Sequence, residues 1–338
     1  MPEATVRIKG LVVVVTGASS GIGRAAALEF ARRGASLVLA ARGTEALEAV
    51  ARECRAHRGA RAVVQPTDVS DETAVGDLAR RALREYGRVD AWVNAAAVAV
   101  AGSVQDVPAD EVRRVLDVNV MGCVNGARAA LPVMRRQGAG VLVDVSSVLG
   151  LISSPYNSAY TMSKHALLAF DASLRQELRL AGERGVRVCT VLPATVDTPF
   201  FQHLSNRTGR RVRAMPPVYT AHRVARAVVG AVRRPRREVF VGVSARSLRL
   251  FTASFPGTLE RLGARKVDRG FFVPGESAPY DAGTLFAPPP GPGSVGGGWH
   301  GAARTAGRRA VPPIPPPRRP PRGRYGGPGA AADREAAP

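Results

Sequence analysis

Tyr160 and Lys164 stand four residues apart in Tyr160-Thr161-Met162-Ser163-Lys164, a spacing that sets both on one face of a helix. Upstream, Ser147 follows the stretch Val141-Leu142-Val143-Asp144-Val145-Ser146. A phenol, an ammonium and a hydroxyl make a proton-transfer site if the fold brings them together. A free phenol, with a pKa of about 10, exchanges protons poorly near neutrality. An ammonium beside it favours the phenolate and lowers that value toward the working range. Tyr160 can then give a proton to a carbonyl oxygen or take one from an alcohol, while Ser147 donates to the same oxygen. A tyrosine four residues from a lysine is common on helices by chance, so the pair needs support from elsewhere in the chain.

That support is a glycine loop, Thr16-Gly17-Ala18-Ser19-Ser20-Gly21-Ile22-Gly23, directly after the apolar run at 11–15. Gly17 allows a tight turn, Gly21 a close approach of backbone to pyrophosphate, and Gly23 close packing of helix on strand. Ser19, Ser20 and Ile22 complete the candidate cradle, with the following helix aiming its N-terminus at the anion. Alone, such a loop is equally a strand–helix turn. Between a strand and a helix it reads as a dinucleotide site.

The elements that must hold these groups follow from hydrophobic periodicity. Short β-branched runs predict strands at 11–15, 36–41, 61–65, 91–94, 140–145, 186–192 and 239–242. Helical patterns lie between them at 22–33, 44–57, 71–86, 109–136, 158–182 and 221–233. Strands alternating with helices imply an α/β Rossmann-type, doubly wound parallel sheet of about seven strands with helices on both faces. Residues 1–243 read as one catalytic domain. Residues 244–285 read as an extension that packs on the substrate side or on a membrane. Residues 286–338 hold 13 of the chain's 26 prolines and read as a disordered Pro/Gly/Arg-rich tail.

Composition narrows the remaining classes. The start Met1-Pro2-Glu3-Ala4 carries no signal-peptide pattern and no apolar run is long enough to span a bilayer, so a cytoplasmic protein is expected. Cys54, Cys123 and Cys189 are few and far apart, which fits a reducing compartment, and no spacing implies a metal. The net charge of +21 invites a nucleic-acid reading. Yet only Lys9, Lys164 and Lys266 of the 48 basic residues are lysines, which points to compositional drift toward Arg. Residues 1–195 carry 24 basic and 19 acidic side chains, and the excess lies beyond them. Nucleic acid is therefore not the expected partner, while contact of Arg-rich 205–250 and apolar 248–255 with an anionic membrane surface stays open.

By its glycine loop and Ser147, Tyr160 and Lys164, the chain resembles the short-chain dehydrogenase/reductase family, in the branch with a TGxxxGxG loop and a YxxxK pair. Further motifs follow in order over residues 11–198: Asp68 and Val69 after the third strand, Asn94 in Asn94-Ala95-Ala96-Ala97, Asn119 in the long helix, and Pro193-Ala194-Thr195-Val196-Asp197-Thr198. Ala95, Ala97 and Ala194 depart from the family pattern. The resemblance implies that Asp68 and Val69 meet the adenine, and that Asn94, Pro193, Val196 and Thr198 serve the cofactor. It implies that Lys164 and Tyr160 hold the nicotinamide ribose and that Asn119 anchors a water linking Lys164 to solvent. The spacing to Tyr160 favours Ser147 over its neighbour Ser146. Ser147, Leu149, Tyr160 and Phe200 are the expected substrate contacts, with Phe200 and Phe201 opening the family's lid segment. A homodimer or homotetramer through the helices bearing Asn119 and Tyr160 is also implied.

The second strand ends Ala40-Ala41-Arg42-Gly43, with no acid to accept from a ribose 2′-hydroxyl and an Arg able to fork onto a 2′-phosphate. The expected cofactor is NADP(H). The expected activity is hydride transfer between it and a carbonyl or secondary alcohol of a hydrophobic substrate. The rival is a non-catalytic cofactor-binding scaffold whose basic C-terminal half contacts an anionic partner, which would need none of Ser147, Tyr160 and Lys164.

Overall fold

The computed structural model describes residues 6–242 and 256–300. The first five residues, the stretch at 248–255 read as lipid-facing, and the tail beyond residue 300 lie outside the described residues. Seven parallel strands form one sheet: β1 (Val12–Thr16), β2 (Ser36–Ala41), β3 (Arg61–Pro66), β4 (Ala91–Asn94), β5 (Gly140–Val145), β6 (Val186–Pro193) and β7 (Glu238–Val241). Their order is β7-β6-β5-β4-β1-β2-β3. The strand order reverses between β1 and β4, which are paired with Val13 opposite Ala91. Ligands of open α/β sheets bind at the carboxyl ends beside such a switch point.

The sheet is covered on both faces, so its central strands carry apolar residues on both sides, and every residue of β1, β4 and β5 is buried. On one face pack α1 (Gly21–Ala31), α2 (Thr44–Arg55) and α8 (Ala221–Arg233), through Phe30, Leu47 and Val228. On the other pack α3 (Glu72–Tyr86), α5 (Gly122–Gln137) and α6 (Ser158–Leu180), through Leu78, Met134 and Leu174. Local signals fix the ends of α3. The Asp71 carboxylate accepts from the N–H groups of Thr73 and Ala74, and Gly87 closes the helix at a φ of 75°.

The long helix expected over 109–136 is not continuous. After α4 (Ala109–Leu116) comes a π turn at Asp117–Met121, and only then α5. Asn119 sits inside that turn, fully buried. Its side chain accepts from Val98 N (2.9 Å) and donates to Val98 O (2.9 Å), so it closes both backbone groups of the segment after β4. The amide is spent on neighbouring segments rather than on its own helix ladder, and the π turn is the irregularity that carries it there.

The C-terminal boundary drawn at residue 286 on composition differs from the structure. A four-residue helix α7 (Phe200–His203) and the helix α9 (Pro256–Gly270) precede β8 (Phe272–Ser277), which pairs antiparallel with a short strand at Arg210–Val212. Leu285 is 1% exposed and belongs to the core beside α3 and α5. Residues 286–300, read as the start of a disordered tail, lie along the body and bond to it at Gly21, Arg24, Asp197 and Thr198. The proline bias forbids a core but leaves backbone groups free to bond: the carbonyls of Pro292 and Ser294 accept, and the N–H groups of Gly297 and Trp299 donate.

Candidate active site

The strand ends converge on one cavity of about 580 Å³. Of the residues named from sequence, Gly17, Ser19, Ser20, Gly21 and Ile22 line it after β1, Arg42 after β2, and Asp68 and Val69 after β3. Ser147 and Leu149 line it after β5, Tyr160 and Lys164 from α6, and Pro193, Val196, Thr198 and Phe200 beyond β6. Gly23, Asn94 and Asn119 do not line it. A Cβ on Gly23 would lie 2.2 Å from Gly17 O, so that glycine lets α1 rest on its own loop. Gly17, at a φ of 65°, abuts the backbone of Ala95 and Ala96, where a Cβ would lie 2.6 Å from Ala96 N. The loop is thus fitted to the turn after β4.

Ser147 and Tyr160 meet. The Ser147 hydroxyl accepts from Leu149 N (3.1 Å) and hydrogen bonds to the phenol. Ser146 turns elsewhere, with its hydroxyl on Lys164 O at 3.4 Å. Lys164 is 2% exposed, and its Nζ donates to Val145 O at 2.9 Å. Asn119 reaches this cluster indirectly, since its Nδ2 donates to Ser163 Oγ (3.0 Å), which itself donates to Tyr160 O (2.7 Å).

The electrostatics correct one expectation. Lys164 was expected to lower the Tyr160 pKa. The phenol is instead pushed up to about 12 by burial, and the hydrogen bond to Ser147 only partly offsets this. The Lys164 Nζ lies 5.5 Å from the centre of the Tyr160 ring, and its hydrogen bond goes to the Val145 carbonyl. Burial also holds the Lys164 ammonium below its usual range, against the pull of Cys123, Asp144 and Asp171. Tyr160 in this state is a neutral acid.

Behind Lys164 lies a polar network that the sequence reading missed. Asp144 and Asp171 are both fully buried and hydrogen bond to one another. Asn94 Nδ2 donates to Asp144 Oδ1 (2.7 Å), and Thr190 Oγ1 donates to Asp171 Oδ2. Asn94 also accepts from Trp92 Nε1 (2.8 Å), so its side chain is committed here rather than to the cofactor cleft where it was expected. Burial, then the neighbouring Asp144, pushes Asp171 well above the usual carboxylate range. Two carboxyls this close in a dry site share a proton. The available signal was an acid inside an otherwise apolar strand, since Asp is almost never fully buried without a partner.

At the far end of the cleft, Asp68 accepts from Ser70 N (3.0 Å), Ser70 Oγ (2.7 Å) and the Arg114 guanidinium. Burial raises the Asp68 carboxyl, but the bonds from Arg114 and Ser70 outweigh it and leave the group below the usual range. Arg114, on α4, escaped the sequence reading because it lies 46 residues from its partner. Arg42 points its fork at the C-terminal segment: Nη1 donates to Leu285 O (2.9 Å) and Nη2 to Thr284 O (2.5 Å).

A doubly wound sheet with a glycine loop after its first strand and a Ser–Tyr–Lys cluster after its fifth defines a nicotinamide-dinucleotide oxidoreductase. The sequence model of the short chain dehydrogenase family matches residues 11–209. The chain is 34% identical over 287 residues to the uncharacterized oxidoreductase YxnA of Bacillus subtilis, covering 82% of this chain and 80% of that one. It is 32% identical over 269 residues to dehydrogenase/reductase SDR family member 7B of Bos taurus, covering 77% and 82%. A short chain dehydrogenase/reductase from Burkholderia phymatum, solved in complex with NAD, superposes with a TM-score of 0.67 at 31% identity, over 77% of this chain and 97% of that one. An alcohol dehydrogenase from Thermococcus sibiricus, complexed with 5-hydroxy-NADP, gives 0.60 at 26% identity, over 69% and 96%. The chain belongs to the short-chain dehydrogenase/reductase family.

The raised Asp171 value makes a prediction about stability. Above the ordinary carboxylate range the unfolded chain has lost this proton while the folded chain keeps it. Stability therefore falls as pH rises, until the folded value is passed. Asp171→Asn keeps a donor toward Asp144 and removes the titration. Thermal melts of both proteins from about pH 5 to about pH 9 should show a steeper decline for the wild type. Parallel curves would remove the shared proton.

Proposed function

We propose that the protein is an NADP(H)-dependent carbonyl reductase acting on hydrophobic ketones or aldehydes, with Tyr160 as general acid. The observation that carries this reading is the neutral Tyr160 phenol bonded to Ser147 in the wall of the cavity. A protonated phenol at neutral pH is the form that carbonyl reduction needs.

The residues present fit a dinucleotide. The glycine loop has no room for a Cβ at Gly17 or Gly23, and the start of α1 offers the electropositive end of a helix. The cavity falls within the range of cofactor sites, about 300–1,000 Å³. Ser19, Ser20 and Ile22 would hold the pyrophosphate, Gly21, whose N–H bonds to Ser294 O, would let the backbone come close to it, and Asp68 and Val69 would hold the adenine. Tyr160 and Lys164 would hold the nicotinamide ribose, with Pro193, Val196 and Thr198 at the nicotinamide. When bound, the cofactor supplies hydride. Ser147 orients the substrate oxygen and polarises it, Tyr160 delivers the proton from its Oη, and Lys164 keeps positive charge beside the phenolate that results.

For the phosphorylated cofactor, the support is the missing acid after β2 and the presence of Arg42. Its Nη1 donates to Leu285 O and its Nη2 to Thr284 O and Ala287 O, which uses three of the guanidinium's five N–H donors and leaves Nε and one Nη1 proton for a 2′-phosphate. The substrate wall is apolar: Leu149, Ile152, Phe200, Leu204, Met215 and Phe271 line the cavity. Phe200 packs on Tyr160 with ring centres 5.4 Å apart, which shields the reacting oxygen from water. Lys266 and Val267 of α9 also line the cavity, which supports a substrate-side role for the extension.

A homodimer through α5 and α6 is supported by Met121 and Met162, exposed at 45% and 47% beside the segments bearing Asn119 and Tyr160. The three cysteines are free and buried, which supports a reducing, cytoplasmic setting. Among the described residues, no helix is long and apolar enough to cross a membrane.

NADPH oxidation with a panel of hydrophobic ketones and aldehydes tests the reading. Turnover is expected, and Tyr160→Phe should lower kcat by about 10²–10⁴-fold with NADPH affinity retained. Tight NADPH binding without turnover of any carbonyl would return the scaffold reading.

Arg42→Ala should lower kcat/KM for NADPH by about tenfold, as expected for one lost charge-assisted contact, and leave NADH almost unchanged. An unaltered NADPH/NADH ratio would remove Arg42 from 2′-phosphate recognition.

A further inference from the structure

Residues 284–299 cross the cleft from its adenine end to its nicotinamide end. At the adenine end, Leu285 is plugged into the core and its carbonyl accepts from Arg42 (2.9 Å) and from Arg114 Nε (3.0 Å). Over the phosphate loop, Gly21 N donates to Ser294 O (2.8 Å) and Arg24 donates to Pro292 O. Gly293 lies so close that a Cβ would come within 2.4 Å of Ser19 O. At the far end, Asp197 Oδ1 accepts from Gly297 N (2.9 Å) and from Trp299 N (2.9 Å). Gln202 Nε2 donates to Gly297 O (2.9 Å), and Trp299 Nε1 donates to Thr198 O (3.1 Å). The Trp299 ring meets Phe201 at 6.0 Å.

The segment walls the cavity without filling it. Pro288, Pro289, Gly291 and Gly293 line one side of the same space that Ser19, Gly21, Arg42 and Tyr160 line on the other. Its composition suits a strap. Prolines at 288–290 and 292 restrict the free chain, which lowers the entropy lost on docking. Gly291 and Gly293 take φ values of 84° and 67° where the chain bends.

We propose that residues 284–299 form the outer wall of the dinucleotide site, a strap that closes over the bound cofactor, with Asp197 as the latch that positions it. This rests on the cleft being a dinucleotide site. Cofactor leaves only after the strap lifts, so the contacts of Asp197 govern the dissociation rate while touching neither cofactor nor substrate. Asp197 is suited to the task because one carboxylate oxygen takes the N–H groups of both Gly297 and Trp299, and charge-assisted bonds of this kind are the stronger ones.

The experiment uses the full chain. NADPH dissociation is followed by stopped-flow displacement for wild type, Asp197→Ala, Asp197→Asn and Trp299→Ala, and the association rate and Kd are measured alongside. Asp197→Ala, which loses the two bonds to Gly297 N and Trp299 N, and Trp299→Ala, which loses the indole bond to Thr198 O and the ring contact with Phe201, should each release NADPH about tenfold faster. Kd should rise in step. Asp197→Asn keeps Oδ1 as an acceptor and should lie between alanine and wild type. Trp299 is one of two tryptophans and the other, Trp92, is fully buried. Its emission should therefore shift to the red in Asp197→Ala without cofactor, reporting the lifted strap directly. Dissociation rates within about twofold of wild type in both alanine variants would overturn the proposal. So would tighter NADPH binding in either variant, since that marks a plug that competes with the cofactor rather than a lid over it. A full chain that binds neither NADPH nor NADH would remove the dinucleotide reading and the strap with it. Binding with unchanged release would remove the strap alone.

Discussion

The bond from Lys164 Nζ to the carbonyl of Val145 ties the active site to the sheet. An ammonium buried to 2% exposure is costly unless it is paired, and among the described residues its hydrogen bond goes to a carbonyl rather than to a carboxylate. It is held by the last carbonyl of β5 and by the negative charge shared between Asp144 and Asp171 behind it. Each of these depends on something further. Asp144 is fixed by Asn94, Asn94 by Trp92, and Asp171 by Thr190. The chain therefore uses β4, β5, β6 and α6 together to keep one positive charge beside Tyr160.

The same arrangement accounts for the state of Tyr160. With the ammonium directed at a backbone carbonyl, burial dominates and the phenol stays neutral. A neutral acid hydrogen bonded to a serine hydroxyl in an apolar cavity is prepared to donate. Part of the cost of keeping polar groups dry is met by pairing, as at Asn119, whose amide closes both backbone groups of Val98 and holds Ser163. Seen this way, the π turn at Asp117–Met121 and the carboxyl pair are supports of one site rather than separate irregularities.

Much of this was legible in the sequence. The β-branched runs located the strands of the sheet because central parallel strands are buried on both faces, and the loop at Thr16–Gly23 and the Tyr160/Lys164 pair are local patterns. What was not legible depends on distant partners. Asp68 meets Arg114 and Arg42 meets Thr284 and Leu285, pairings that no spacing rule encodes. Asn94 was read by position alone, yet its side chain is claimed by an acid 50 residues away. Composition reports the absence of a core from residue 286, and it carries no sign of the hydrogen bonds by which residues 286–300 dock. Part of the Arg excess also has an internal use, since Arg24, Arg42 and Arg114 all direct guanidinium N–H groups at carbonyls of residues 284–292.

The buried ammonium acts as a point charge at one location. Lys164 is one of three lysines in a chain whose other basic residues are arginines, so a role satisfied by any cation would fit an Arg equally well. The pH profile of NADPH-dependent carbonyl reduction by Lys164→Arg is the direct measurement, because it keeps the charge and changes its shape. A planar fork cannot occupy the place of Nζ beneath Val145 O, so kcat should fall by at least about 10²-fold across the whole profile. Activity within a few-fold of wild type at every pH would show that positive charge near Tyr160 suffices, and would contradict the account.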